Sequence, residues 1–192
     1  MMKSMKLWLV GIALSMGASF LQAQNVAVYQ DESAPLHDRV TDLLKRMTVE
    51  EKISLLRATS PEIPRLGIAK YYHGNEALHG VVRPGRFTVF PQAIGMASSW
   101  NPVLMKQIST VISDEARARW NELEQGRNQK ARYSDVLTFW SPTVNMARDP
   151  RWGRVAEGYG EDTYLASVMG AATVRGYQGN DSVVRMAACV KH

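Results

Sequence analysis

The residues with most chemistry to offer lie in one stretch, Arg148 to Asp162, which reads RDPRWGRVAEGYGED. Arg148, Arg151 and Arg154 alternate there with Asp149, Glu157, Glu161 and Asp162, around a single Trp152. Burying so many unpaired charges would cost far too much for a core strand. The stretch also lacks the lysine and glutamate spacing of a solvated helix. A guanidinium holds five donors in a fixed planar fork, and an indole offers a flat apolar face. Such a loop suits recognition of a planar or hydroxyl-rich group. The plainer alternative is a salt-bridge knot that shapes a turn.

Those side chains need strands and helices to aim them. Val136 to Trp140 (VLTFW) predicts a short apolar strand just ahead of the charged loop. Val183 to Val190 predicts a second, with Lys191 and His192 at its C-terminal end. Tyr71 to Val82, bracketed by Gly74 and Gly80, reads as a strand end running into a loop that bears Glu76. Helical spacing fills the intervals. Val40, Leu43, Leu44 and Met47 share one face, and Thr48-Val-Glu-Glu51 is a capping box that should start a helix running through Leu55 and Leu56 to a stop at Pro61 and Pro64. Asn101-Pro102 is an N-cap with proline at the first helical position, followed by Val103, Leu104, Ile108, Val111, Ile112 and Ala116. Arg119 to Tyr133 reads as a polar loop. Glu161 and Asp162 should open a further helix, with Leu165, Val168, Met169 and Ala172 on one face and Gly176 and Gly179 closing it.

Strand, loaded loop and helix in alternation predict an α/β fold with a parallel sheet. Glu76, Arg154, Lys191 and His192 each follow a strand, where barrel enzymes assemble their sites. A complete barrel takes about 250 residues, more than the 192 here, and the last expected strand has no covering helix. The expectation is a partial barrel, cut before closure.

Composition narrows the function classes. Lys3 and Lys6, the apolar run Leu7 to Phe20 and Leu21-Gln22-Ala23 predict a cleaved export signal over residues 1–23, too short for a membrane span of about 20 residues. A polar, mobile leader over 24–35 and one domain over 36–192 would follow, in a periplasmic or secreted protein. Loss of two lysines lowers the formal charge from +5 to +3. That charge, with no basic stripe, argues against nucleic acid. Cys189 is the only cysteine, which excludes an internal disulfide. Set between Ala188 and Val190, it is expected to be a small buried apolar group. His37, His73, His79 and His192 lack zinc-ligand spacing, so neither a metal nor another cofactor is expected.

Three blocks together resemble glycoside hydrolase family 3: Asn75-Glu-Ala-Leu-His-Gly80, Arg148-Asp-Pro-Arg-Trp-Gly-Arg154 with Glu157 and Gly160-Glu-Asp162, and Lys191-His192. Met47-Thr-Val-Glu-Glu-Lys52, Phe90-Pro91 and Trp140-Ser-Pro-Thr-Val-Asn145 support it. The likeness runs from about Leu36 to His192. It implies an exo-acting retaining β-glycosidase whose N-terminal (β/α)8-type barrel precedes an α/β sandwich domain. By position, Glu76, Arg154, Lys191 and His192 match residues that hold the sugar at the non-reducing end.

The resemblance also implies that the nucleophilic aspartate and the acid/base residue lie beyond the Lys-His pair. No catalytic residue is therefore assigned within the chain, and Asp149, Glu157 and Asp162 are expected to shape the arginine loop. His73 departs from the aromatic common in relatives, which bears on a sugar-stacking wall, and Thr163 departs from a common proline. The Glu-Ala-Leu-His-Gly form resembles the β-xylosidase and arabinosidase branch, with xylo-oligosaccharides as expected substrate. The alternatives are a β-glucosidase of the same family and a non-catalytic carbohydrate-binding half-barrel.

Overall fold

The computed structural model describes residues 26–82, 85–125 and 137–192. The expected signal segment lies outside them. They fall into two compact units, one up to Lys52 and one from Ile53 to His192.

In the first unit, helix α1 (Leu36–Arg46) follows a 3-10 turn at Val28–Gln30. Asp38 sits in its first turn and Lys45 and Arg46 in its last, each opposite in sign to the local end of the helix dipole. Part of the stretch read as a leader is tied to this helix. The Tyr29 amide donates to Asp42 Oδ2 at 3.1 Å, Arg39 Nε donates to the Tyr29 carbonyl at 3.2 Å, and the Arg46 guanidinium lies 5.6 Å from the Tyr29 ring centre. The capping box forms as the sequence predicts. The Thr48 amide donates to Glu51 Oε2 at 2.8 Å and the Glu51 amide to Thr48 Oγ1 at 3.2 Å. Helix α2 (Val49–Ser54) is shorter than expected, stopping before Leu55.

The second unit is built of short strands backed by helices. Strands β1 (Thr59–Ser60) and β2 (Tyr71–Tyr72) pair antiparallel. Helix α3 (Ala93–Ala97) leads to α4 (Pro102–Gln125), capped as predicted by Asn101, whose Oδ1 accepts from the Leu104 amide at 3.0 Å. Helix α4 continues through Arg119 to Gln125, a stretch the sequence suggested was loop. Arg119 and Glu122 pair along it at 2.7 Å, three residues apart on one face. The remainder of that expected loop, residues 126–133, lies outside the described residues.

Strands β3 (Thr138–Phe139) and β4 (Ala187–Ala188) pair in parallel, and isolated parallel bridges join Asn75 to Phe139 and Thr143 to Lys191. The expected strand over Val183 to Val190 is thus reduced to its centre, with Val183, Val184 and Val190 exposed. Cys189 is exposed rather than buried. It follows the short strand on the side away from the core.

Helix α5 (Thr163–Gln178) is capped by Asp162, whose Oδ1 accepts from the Leu165 amide at 2.6 Å. It packs on α4 so closely that a Cβ at Gly176 would stand 2.4 Å from Ser109 Cβ and 2.6 Å from the Lys106 carbonyl. Gly176 therefore serves helix contact within α5, and Gly179, at φ 69°, ends it. Two apolar clusters fix the unit. Met96, Met105, Tyr159 and Met169 make one, and Ala77, Ile112, Phe139, Tyr177 and Met186 the other. Each fully buried large side chain, such as Ile112 or Met169, contributes about 1.5–3 kcal/mol.

Candidate functional site

Parallel pairing sends the chain out of neighbouring strands in one direction, so the residues after them converge. The Trp140 amide donates to the Asn75 carbonyl at 2.8 Å, the Lys191 amide to the Pro142 carbonyl at 3.1 Å, and the Val144 amide to the Lys191 carbonyl at 2.8 Å. These bonds bring Glu76, Ser141, Asn145, Lys191 and His192 to one end of the strands.

Glu76 is the centre of the polar cluster. Its Oε1 accepts from Ser141 Oγ at 2.5 Å and from the amides of Ala77 and Leu78 at 2.8 and 3.1 Å. Its Oε2 accepts from Lys191 Nζ at 2.5 Å. The two side chains keep 32% and 12% of their exposure, so the pair is semi-buried with the carboxylate side open. Tyr177 in α5 fixes the backbone alongside, donating to the Ala77 carbonyl at 2.6 Å. Burial pushes that phenol well above its ordinary pKa, keeping it a neutral donor.

Arg154 joins from the charged loop. Its guanidinium makes paired bonds to Glu157 at 2.7 and 2.6 Å and donates to His192 Nε2 at 2.7 Å. Arg154 holds the Glu157 carboxyl below its usual range, with the charge of Lys191 adding to the effect. Desolvation, then the charges of Arg154 and Lys191, lower the pKa of His192. The His192 amide donates to Asn145 Oδ1 at 2.8 Å. Gly158 lets the loop close here, since a Cβ on it would stand 2.9 Å from the Asn145 carbonyl oxygen.

The residues singled out from sequence, Glu76, Arg154, Lys191 and His192, therefore lie in one network. Asp149, Glu157 and Asp162 take the shaping roles expected of them. Asp149 binds Arg151 in a paired contact at 3.0 and 2.6 Å, Glu157 binds Arg154, and Asp162 caps α5. Sequence reasoning missed Ser141 and Asn145 as the residues that orient Glu76 and His192. Their partners lie 65 and 47 residues away in sequence, so no local pattern marked them. His73 is turned to other work: its ring meets Tyr71 edge-on at 4.8 Å and its Nε2 lies 3.1 Å from Ser60 Oγ.

A groove of about 440 Å³ borders Asn145, Arg148, Lys191 and His192. A larger one, about 600 Å³, is lined mainly by apolar residues of α5 with Val144, Met146 and Val190. Among the described residues no group of three His, Cys, Asp or Glu is placed to hold a metal ion. Nor is any described helix long and apolar enough to cross a membrane.

A carboxylate braced by a hydroxyl and two amides is thus paired with an ammonium, and a guanidinium bonded to an imidazole adjoins that pair through the Lys191–His192 step. Comparison with known proteins gives the family. The chain belongs to glycoside hydrolase family 3: the model of the glycosyl hydrolase family 3 N terminal domain matches residues 40–192. It is 42% identical over 185 residues to a xylan 1,4-beta-xylosidase of Xylanibacter ruminicola, covering 95% of this chain and 21% of that one. It is 45% identical over 172 residues to beta-D-xylosidase 1 of Arabidopsis thaliana, covering 83% and 21% respectively. Among solved structures it is similar to a GH3 exo-beta-xylosidase in complex with a xylobiose aziridine activity-based probe. There the TM-score is 0.70 and the identity 32%, over 88% of this chain and 22% of that one. The chain thus spans about a fifth of the length of the curated relatives it matches.

Proposed function

We propose that these residues form the first part of a (β/α)8-type barrel in an exo-acting retaining β-glycosidase, acting on β-xylosides at the non-reducing end of xylo-oligosaccharides. The observation that supports it most is the Glu76–Lys191 pair, joined through the strand ends to Arg154 and His192. Glu76 accepts from sugar hydroxyls, and Lys191, Arg154 and His192 donate to them. Bonds of this charge-assisted kind are roughly twice as strong as neutral ones. The cluster supplies grip and orientation, while retaining hydrolysis further requires two carboxyl groups about 5–5.5 Å apart. We assign those to other parts of the complete enzyme. An export signal at residues 1–23 would deliver it to the periplasm or the medium.

The test is turnover by the complete protein. Incubation with xylobiose and longer xylo-oligosaccharides should release xylose stepwise from the non-reducing end. Products of internal cleavage, or no product from xylosides at enzyme concentrations that hydrolyse other glycosides, would overturn the reading.

A further inference from the structure

Gly74 stands out among the glycines of the unit because the atoms that crowd it are the tips of two aromatic rings. Gly80, six residues on, adopts φ 133°, a conformation other residues rarely take. Gly74 has no positive φ. What it has is neighbours. A Cβ built on it would stand 2.7 Å from Tyr72 Oη, 2.8 Å from Tyr72 Cζ and 2.8 Å from Trp140 Cη2. The tips of two aromatic rings occupy the space in which a side chain at position 74 would lie.

The strand register says which face this is. Asn75 and Phe139 form a parallel bridge, and both are buried. Phe139, with Ala77, packs into the cluster formed with Ile112 and Tyr177. Side chains alternate along extended backbone, so Gly74 and Trp140, which flank the bridged pair, leave on the opposite face. Gly74 stands two residues before Glu76, and Trp140 one before Ser141, whose hydroxyl donates to the Glu76 carboxylate at 2.5 Å, so the ring tips adjoin the Glu76 cluster along both segments. Trp140 keeps 38% of its exposure, and Tyr72 is half-buried. Trp140 thus leaves aromatic surface open one residue from Ser141, which orients the Glu76 carboxylate.

We propose that Tyr72 and Trp140, closed over Gly74, form an apolar floor for the pyranose held by Glu76 and Lys191, and that the absence of a side chain at Gly74 sets how deep that sugar sits. The proposal rests on the carbohydrate-binding reading given above. A pyranose has hydroxyls at its rim and a C–H face between them. The rim suits the Glu76–Lys191 pair, and the C–H face suits an aromatic surface, the combination of apolar lining and a few placed polar groups that small-ligand sites use. Tyr72 and Trp140 are specificity-determining residues in this account, without a part in bond cleavage.

Gly74→Ala is the most direct probe. The atoms it would strike are the far ends of two side chains, so the rings can swing aside while the strand keeps its place. In the complete protein, Gly74→Ala and Tyr72→Ala should each raise KM for nitrophenyl β-xyloside roughly three- to tenfold, with a smaller change in kcat. Tyr72→Phe, which retains the ring, should lose less than Tyr72→Ala. Xylose binding, read as the rise in melting temperature at a fixed xylose concentration, should weaken in step. An unchanged KM and an unchanged xylose-induced rise in both Gly74→Ala and Tyr72→Ala would overturn the floor. So would kcat and KM effects that follow a lowered melting temperature and are no smaller in Tyr72→Phe. If the wild type binds xylose but does not turn over xylosides, the glycosidase reading fails, and the floor is still decided by the xylose-induced shift. If xylose does not bind at all, both fall.

Discussion

Arg154 donates to the Nε2 of His192 across 2.7 Å, although 38 residues separate them in sequence. A guanidinium only donates, so this nitrogen must accept, and the imidazole must be neutral with its proton on Nδ1. Protonation would break the bond and set a third cation beside Arg154 and Lys191. Desolvation and those two charges lower the His192 pKa from its ordinary value near 6.5. The neutral ring is thus favoured in the folded state, and its contribution is present above pH 6.5 and lost as pH falls through the lowered value.

NMR titration of the His192 ring in the complete protein should show a midpoint below 6.5 and the Nδ1–H form above it. KM for a β-xyloside should rise on the acid side over the same range, and His192→Gln should flatten that limb. A midpoint above 6.5 would contradict the Arg154–His192 arrangement.

Arg154→Ala removes the link between the charged loop and the strand ends. Loss of a hydrogen bond involving a charge costs about 1.5–3 kcal/mol, which as lost transition-state stabilisation is roughly ten- to hundredfold in kcat/KM. Because the Arg154 side chain keeps 44% of its exposure, the melting temperature should change little. An unchanged kcat/KM with a lowered melting temperature would instead mark the loop as a structural knot.

Gly176→Ala should act through packing alone. The new methyl would meet Ser109 Cβ and the Lys106 carbonyl well inside contact distance, and neither is the end of a flexible chain. Overpacking of this kind costs about 1–3 kcal/mol. Thermal unfolding should show a drop of several degrees, with the xyloside-to-glucoside ratio unchanged.

The 192-residue chain expressed without further sequence should not hydrolyse nitrophenyl β-xyloside or β-glucoside, since the role proposed for its polar cluster is grip and orientation, with no nucleophile or general acid assigned to it. Val183, Val184, Val190 and Tyr164 are exposed, and Val190 lines the larger groove. That apolar surface should bind a hydrophobic dye and promote association. A sharp cooperative melt of a dye-silent monomer, or turnover that survives rigorous purification, would contradict these expectations.

Much of this was legible in sequence because it depends on local rules. The Thr48–Glu51 box, the Asn101 cap and the Asp162 cap each need only neighbours within three residues, and each forms. The acidic partners of the arginine loop were legible for the same reason. Helix α4 was read too short because Arg119, Asn121 and Glu122 are polar, and a polar run continues a helix whose apolar face is already anchored upstream. The strand before Lys191 was read too long, since its flanking valines are apolar but exposed, and the Val184 carbonyl accepts from Arg117 rather than from a neighbouring strand. Ser141 and Asn145 could not be found from local pattern. Their partners, Glu76 and His192, lie 65 and 47 residues away and become neighbours only through parallel pairing.

Glu76 and its partners, in the proposed function, grip the terminal sugar and favour xylose. Glutamate reaches one methylene further than aspartate, and in that proposal the extra reach takes the room that glucose needs for its C6 hydroxymethyl. A steric preference of one carbon is worth about 1–3 kcal/mol, or roughly 10- to 200-fold. The decisive measurement is the ratio of kcat/KM for xylobiose to that for cellobiose, in the complete wild-type enzyme and in Glu76→Asp. The expected result is a preference for xylobiose within that range, narrowed or reversed by the substitution. A wild-type preference for cellobiose, with a ratio that Glu76→Asp leaves unmoved, would contradict it.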